Sequence, residues 1–461
     1  MFAALLLAPA ASASHPLRTG LYLGSSGAAD SVAYARARAA GTTVVRIPVV
    51  WSEIAPTAPL ARFDAANPND AGYNWAALDA QVALAVSHNL VPVLSIYHAP
   101  IWAQHGSGDK STGAVGVSAA ALASFATAIA TRYDGADGQP RVRYWSAWNE
   151  PNVNVYLSPQ FAHGAPASPA AYRTMLNAFA NAVHRVNPAN VVIGGELSPF
   201  TVVRGTTVTI GPLQFMRELL CMSTGDHPHP TCNTKVDFDV WAHHPYTSGG
   251  PTHKAFNPND VSLGDLPRMR ALLDAAYAAG HIVSHGAPGF WVTEFSWDSN
   301  PPDPKGLPLA LHARWTAEAL YRMWQAGVDL VIWLQLYDDP FPADAAQAGL
   351  YFLPSASGAT RAKPTLTSFT FPFVAYLAPG GVSVWARTPW GTPGTVVVER
   401  KAGAGWRRVA SLRSDRFGIV QAKLAGRYTK SDFLRAQVAG HTSLAFSLTQ
   451  PPDRFLDPFG S

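Results

Sequence analysis

Charge is scarce in this chain of 461 residues: Asp, Glu, Lys and Arg together make up 14%, and 34 basic against 30 acidic side chains leave a formal net charge of +4. The basic residues are dispersed, with no run longer than the stretch around Arg407 and Arg408. That pattern excludes a nucleic-acid-coating surface and argues against disorder. Beyond the N-terminus no segment is long and apolar enough to span a bilayer, so no membrane partner is expected. The Gly-x-Gly-x-x-Gly fingerprint is also missing after the first strand candidate, which speaks against a dinucleotide-binding doubly wound sheet. Cysteine is nearly absent. Cys221 and Cys232 flank a stretch rich in His and Pro, and even with His227 and His229 counted the spacing matches no common zinc pattern. In an exported chain a local disulfide between the two is the expected pairing. Nothing calls for a metal or another cofactor.

What is plentiful is apolar and aromatic matter: 48% hydrophobic residues, with 14 Trp, 15 Tyr and 21 Phe. That fills a large core and leaves rings over for a binding cleft. Residues 1–14 (MFAALLLAPAASAS) read as the apolar core of a secretory signal, with cleavage after Ala11-Ser12-Ala13, although the basic leading region is missing. Residues 1–13 are therefore expected to be removed, and the mature protein to be secreted, extracellular, soluble and monomeric.

From about residue 18 to 340, short β-branched or aromatic runs alternate with alanine-rich amphipathic stretches, the signature of repeated βα units. Strands are expected at 19–24, 43–50, 91–97, 142–148, 191–197, 237–243, 289–295 and 329–335. Helices are expected at 74–88, 118–132, 169–186, 212–221, 266–280 and 308–326, and a last one reaching about 377. Eight strands is the number that closes a parallel barrel, so the fold class is α/β, a (β/α)8 TIM barrel over 14–377. Residues 378–461 change texture: short alternating runs between Gly, Pro and Asp turns predict a small antiparallel β-sandwich.

The most informative stretch is 144–152 (YWSAWNEPN), a buried aromatic strand that ends in Asn149, Glu150 and a proline that stops the ladder. Glutamate is rarely buried without a partner. A second strand, 290–297 (FWVTEFSW), carries Glu294 in matching aromatic context. Barrel active sites lie at the carboxyl ends of the strands. Collecting polar residues there brings together Arg46, His98, Asn149, Glu150, His243, His244, Tyr246 and Glu294, with Trp333 on the eighth strand. Glycosidic cleavage with retention needs one carboxyl group protonated and another ionised, about 5–5.5 Å apart. A cation or phenol keeps the nucleophile ionised, a task suited to Arg46 and Tyr246, whereas the acid needs burial and a like charge. Asn149 suits a sugar hydroxyl, and Trp333 offers a flat face for a sugar ring.

These residues resemble the retaining glycoside hydrolases of clan A, which carry their catalytic glutamates on strands four and seven. Trp148-Asn149-Glu150-Pro151 is similar to the acid/base motif, Thr293-Glu294 to the nucleophile strand, and His244-Pro245-Tyr246 to the motif of the sixth strand. The likeness is cellulase-like, of family 5 or family 39 type. It implies a carbohydrate substrate, with Glu150 as acid/base, Glu294 as nucleophile, Asn149 on the 2-hydroxyl and Tyr246 beside the nucleophile. Arg46, His98, His244 and Trp333 would line the site. Apart from the resemblance, Trp51, Trp102, Trp148 and Trp297 are open to two readings, sugar platforms or core, and Trp297 is counted with the substrate-binding set. Two other readings compete: a carbohydrate-binding barrel that has lost turnover, and a metal-dependent hydrolase using His243, His244, Glu150 and the aspartates at 237 and 239. The second lacks the His-x-His that such barrels place on the first strand.

Overall fold

The computed structural model describes residues 15–24, 27–58, 62–344 and 346–456; the expected signal segment lies outside them. Among these residues, eight runs of β-branched and aromatic side chains, too apolar on both faces for a half-exposed sheet, pair in parallel and close on themselves. They are β1 (Arg18–Tyr22), β2 (Val44–Val50), β3 (Val91–Tyr97), β4 (Tyr144–Ala147), β5 (Val191–Leu197), β6 (Val240–His243), β7 (Gly289–Phe295) and β8 (Leu330–Leu334), each hydrogen-bonded to its neighbours in sequence, with β8 closing on β1. The expected strand over 237–243 is cut in two. Val236–Asp237 pairs with Ile282–Val283 outside the barrel, and only Val240–His243 joins the closed sheet.

A main helix follows each strand: α1 (Ser31–Ala39), α2 (Ala76–Ser87), α3 (Ala119–Arg132), α4 (Ser168–Val186), α5 (Pro212–Leu220), α6 (Leu266–Ala278), α7 (Leu309–Gln325) and α8 (Pro364–Thr370); a single extra turn, Trp51–Ile54, also follows β2. Local chemistry sets several of their ends. Asp30 and Ser118 accept backbone N–H groups as N-caps of α1 and α3, and proline opens α5 and α8. At the end of α5, Cys221 takes a left-handed cap conformation and is disulfide-bonded to Cys232, with Cα atoms 5.3 Å apart, which removes the thiolates that a metal reading of this loop needs.

Period-two alternation divides the strand residues between lumen and helix layer. Val44, Val93, Ile193, Val240, Ala242, Trp291, Leu330 and Ile332 fill the lumen. Below them the Arg18 guanidinium lies over the rings of Tyr144 and Trp291, 5.8 and 5.1 Å from their centroids, and closes the floor. The lumen is therefore a packed core, and polar chemistry is left to the upper rim.

The last helix is shorter than expected. It stops at Thr370, and Phe373–Ala378 is already a strand, paired antiparallel with Gly381–Arg387. These two and Ile419–Ala425 form one sheet of the C-terminal sandwich; Gly405–Arg413, Thr395–Ala402, Phe433–Val438 and two short end strands form the other. The sandwich braces the barrel through buried contacts. Arg387 Nε donates to the Leu17 carbonyl at 2.6 Å, and the Arg314 guanidinium of α7 sits over Phe446 at 4.1 Å.

Behind β8, the Lys363 ammonium is wholly buried. It donates to Asp338 Oδ1 (2.5 Å), Ser299 Oγ (2.7 Å) and the Gln347 carbonyl (3.1 Å), tying the start of α8 to the loops after β7 and β8. Burial pushes the Lys363 ammonium down and the Asp338 carboxyl up, so each depends on the other for its charge. Removing one partner of such a pair leaves a buried charge uncompensated. Asp338→Asn is expected to lower unfolding stability by about 3 kcal/mol in urea titration; an unchanged midpoint would show that water or rearrangement replaces the carboxylate.

Candidate active site

The upper rim of the lumen carries a polar layer directly above the apolar one. Arg46 lies two residues beyond Val44 on β2, and Ser95 two beyond Val93 on β3, so both share the inward face. The Arg46 guanidinium is buried and forks. Nη1 donates to Glu294 Oε2 at 3.1 Å; Nη2 donates to Glu196 Oε2 (2.8 Å), Asn149 Oδ1 (2.8 Å) and Ser95 Oγ (3.1 Å). Burial alone would lower the pKa of this guanidinium, but the Glu196 and Glu294 charges outweigh it and raise it.

Two irregularities aim carboxylates into this layer. Between β7 and β8 the register shifts across Thr293-Glu294; between β5 and β6 Ala242 faces Gly195 but His243 faces Leu197, which leaves Glu196 as an extra residue. A bulge of this kind re-aims a side chain that strict alternation would place elsewhere. Gly195 is required there: its φ is +94°, and a Cβ would sit 2.5 Å from the Ala242 carbonyl oxygen.

The two glutamates singled out by the sequence stand in unequal surroundings. Tyr246 donates to Glu294 Oε1 at 2.7 Å while Arg46 holds the other oxygen. Burial works to raise the Glu294 carboxyl, but the charges of His244 and Arg46 and the Tyr246 hydrogen bond hold it below its ordinary value. Glu150 follows β4 with φ +39°, and its Oε1 lies 3.0 Å from His244 Nδ1. Here burial wins: the Glu150 carboxyl is raised, helped by the Glu294 charge and opposed by His244. His244 Nε2 reaches Thr293 Oγ1 at 3.2 Å, and the two carboxylates raise its pKa against burial. Burial also drives the Tyr246 phenol well above its usual range, so it stays a donor. One carboxyl inclined to keep its proton beside one inclined to lose it is the requirement for general-acid and nucleophilic roles in a single site.

The rest of the expected set divides. Of the His243-His244 doublet, only His244 meets the carboxylates. His243 is fully buried, contacts the Val261 carbonyl at 2.8 Å, and is pushed down to about 3 by burial. Asn149 is buried and joined to the network by Arg46. His98, at φ +60°, stands apart: its Nδ1 meets Ser52 Oγ at 2.7 Å.

The expected aromatic platforms need correction. Trp333 is 0% exposed, hydrogen-bonded to the Ala348 carbonyl and packed on His312 and Phe369 in the helix layer. One residue of parity decides this: Leu330 and Ile332 face the lumen, so Leu334 follows them on that face and Trp333 turns outward. Trp297 is 5% exposed, donates to the Gly249 carbonyl and packs between Phe295 and Trp315. Trp51 and Trp148 are buried as well.

Sequence reasoning missed Glu196, Ser95 and three half-buried tyrosines, Tyr22, Tyr97 and Tyr156. Tyr22 and Tyr97 feel the Arg46 and Glu294 charges, Tyr156 those of Glu150 and Glu294 as well, and the Tyr97 and Tyr156 rings meet edge-on at 6.3 Å. Tyr22 and Tyr97 are the last residues of β1 and β3, so the rule that selected Arg46 would have found them. Glu196, one residue before the end of β5, was within reach of the same rule.

The aspartate at 239 is not part of this site. It precedes β6 at the opposite end of the barrel, where its oxygens meet His184 Nε2 (3.1 Å), His285 Nδ1 (2.7 Å) and the Val192 amide (2.9 Å). The metal-dependent reading, which needed it beside Glu150, therefore fails on geometry.

An eight-stranded parallel barrel with two glutamates in a shared polar rim is the arrangement that the resemblance to clan A glycoside hydrolases implies. Comparison with known proteins carries this further. Residues 16–274, more than half of the chain, match the cellulase family (glycosyl hydrolase family 5). The chain belongs to that family. Among solved structures it is similar to a family 39 glycoside hydrolase from the gut symbiont Bacteroides cellulosilyticus WH2, at 15% identity and TM-score 0.53 over 89% of this chain and 81% of the other. Weaker likenesses include a glucosidase from Croceicoccus marinus (17% identity, TM-score 0.48, 89% and 93% covered) and a family 30 endoxylanase from Clostridium papyrosolvens C71 (12%, 0.46, 89% and 94%). At these identities the resemblance is one of fold. No curated protein sequence matches the chain.

Proposed function

We propose that this protein is an exported retaining β-glycoside hydrolase, acting on a polysaccharide or oligosaccharide by double displacement. The reading rests on the unequal surroundings of its two rim glutamates: Arg46 and Tyr246 grip Glu294, while the desolvated Glu150 carboxyl meets His244. In the first step Glu294 attacks the anomeric carbon as Glu150 gives its proton to the departing oxygen. In the second, Glu150 takes a proton from water, which displaces Glu294 from the sugar. As the Glu294–sugar bond forms, the carboxylate loses its charge, and Tyr246 and Arg46 remain to stabilise it when it leaves again. Asn149, fixed by Arg46 on its carbonyl side, keeps its amide hydrogens for a sugar hydroxyl. With Trp333 buried, the tyrosines at 97 and 156 take over as the apolar surface for the sugar. The Cys221–Cys232 disulfide supports an oxidising, extracytoplasmic setting.

The test is the anomer released first. Incubation with β-linked glucan, xylan and mannan oligosaccharides of defined length, followed by proton NMR before mutarotation, is expected to show the β anomer, and the product ladder gives linkage preference and endo or exo action. Initial appearance of the α anomer would make the enzyme inverting. Binding without any released reducing end would instead favour a barrel that has lost turnover.

A further inference from the structure

Within the rim, the mechanism leaves the buried carboxylate of Glu196 unused. Glu196 is fully buried; its Oε2 accepts from Arg46 Nη2 (2.8 Å) and Ser95 Oγ (2.9 Å), while its Oε1 has no hydrogen-bond partner among the described residues. It occupies the extra position of the β5 bulge with φ +50°, a backbone conformation that non-glycine residues rarely adopt, and its carbonyl accepts the amide of Glu150 at 3.1 Å. A half-satisfied buried carboxylate and a left-handed backbone both cost stability, and an apolar residue would avoid the first. Such costs persist at a rim where the group acts on its neighbours.

The neighbour is Arg46. One guanidinium serves two carboxylates through separate nitrogens, Nη1 toward Glu294 and Nη2 toward Glu196. We propose that Glu196 is a positioning residue that offsets part of the Arg46 charge and thereby sets the pH range over which Glu150 and Glu294 work as a pair. This rests on the roles assigned to those two glutamates above. With Glu196 in place, the positive field on Glu294 is moderated and the carboxylate stays nucleophilic; the same negative charge helps Glu150 keep its proton.

The titratable groups around Glu196 and the pair are Arg46 from β2, Tyr22 and Tyr97 from β1 and β3, Glu150 and Tyr156 after β4, Tyr172 from α4, His243, His244 and Tyr246 after β6, and Glu294 from β7; Glu53 and Asp339 act on the tyrosines from further out. Burial raises every one of these phenols and lowers His243, so none of them changes charge near neutrality. The pH response therefore belongs to Glu150, Glu294 and His244, and His244 also feels Glu196.

The experiment compares pH profiles of kcat/KM for the full-length protein and Glu196→Gln on one aryl β-glycoside. Removing the charge exposes both catalytic carboxyls to the whole of Arg46, so both limbs are expected to move toward acid, by about one pH unit. Glu196→Asp keeps the charge but withdraws it from Arg46 by one methylene, and is expected to shift the limbs the same way by less. A folded variant that loses rate with both limbs unmoved would overturn the proposal, as would failure of both variants to fold, since Glu196 would then be scaffold. Carbon-13 NMR titration of the Glu294 carboxyl with and without Glu196→Gln reads the same coupling without turnover. Absence of wild-type activity would sink the hydrolase reading, while an unshifted Glu294 titration would sink this one.

Discussion

Replacing Glu294 with glutamine is expected to lower kcat/KM on every substrate by at least about 10⁴-fold, or about 5.5 kcal/mol of transition-state stabilisation. The amide is nearly isosteric: its one oxygen can still accept from Arg46, and its NH2 can donate to the Tyr246 hydroxyl oxygen, so the rim keeps its shape while losing its nucleophile. Stability should change far less. In the wild type the charges of His244 and Arg46 and the Tyr246 hydrogen bond hold the Glu294 carboxyl below its ordinary value, so its ionised form contributes stability near neutrality against the repulsion it exerts on Glu150. Removing that charge is expected to lower the melting temperature modestly while leaving the fold intact. A folded Glu294→Gln variant with undiminished turnover would end the assignment; a variant that loses activity only by unfolding would say nothing for it, and circular dichroism alongside the kinetics separates the two.

The second large effect is at Glu150, where the expected result depends on the leaving group. In Glu150→Ala, substrates with a sugar leaving group should lose about 10³-fold in rate, within the range of general-acid catalysis, while aryl glycosides with a strongly acidic phenol should lose much less in the glycosylation step because that oxygen departs without a proton. The pH profile should change with it. In the wild type, kcat/KM rises as pH passes the lowered pKa of Glu294, whose ionised form attacks, and falls as pH passes the raised pKa of Glu150, whose protonated form donates. Glu150→Ala therefore keeps the acid limb and loses the alkaline one. Azide, an anion that needs no general base, should restore turnover by displacing Glu294 from the glycosyl intermediate. An equal loss across all leaving groups, or a surviving alkaline limb, would move the acid role to another residue.

Much of this was legible in the linear pattern, for physical reasons. Buried parallel strands must be apolar on both faces, so β3, β5 and β7 stand out as continuous runs and their observed bounds coincide with those expected. Glu150 and Glu294 were visible because a carboxylate at the end of such a run has no reason to be there unless it works. Which way a side chain faces was less legible. Trp333 was expected on the rim and lies in the helix layer because alternation flips the face at every residue, and one position decides which. Glu196, one residue before the end of β5 as Glu294 is in β7, was within reach of the strand-end rule; that its side chain turns into the rim depends on a bulge, and a register shift is a property of two paired strands.

Composition, periodicity and the strand-end carboxylates thus determined the barrel, the appended sandwich and the two residues on which the chemistry is proposed to turn, because each is written in the local burial demands of a single segment. Only the closed sheet decided which side chains share the rim: that Arg46 is divided between two glutamates, that His244 rather than His243 touches Glu150, and that tyrosines rather than tryptophans border the carboxylates. Those outcomes depend on register and on contacts between residues as many as 248 positions apart. Such contacts come into being when the eighth strand meets the first.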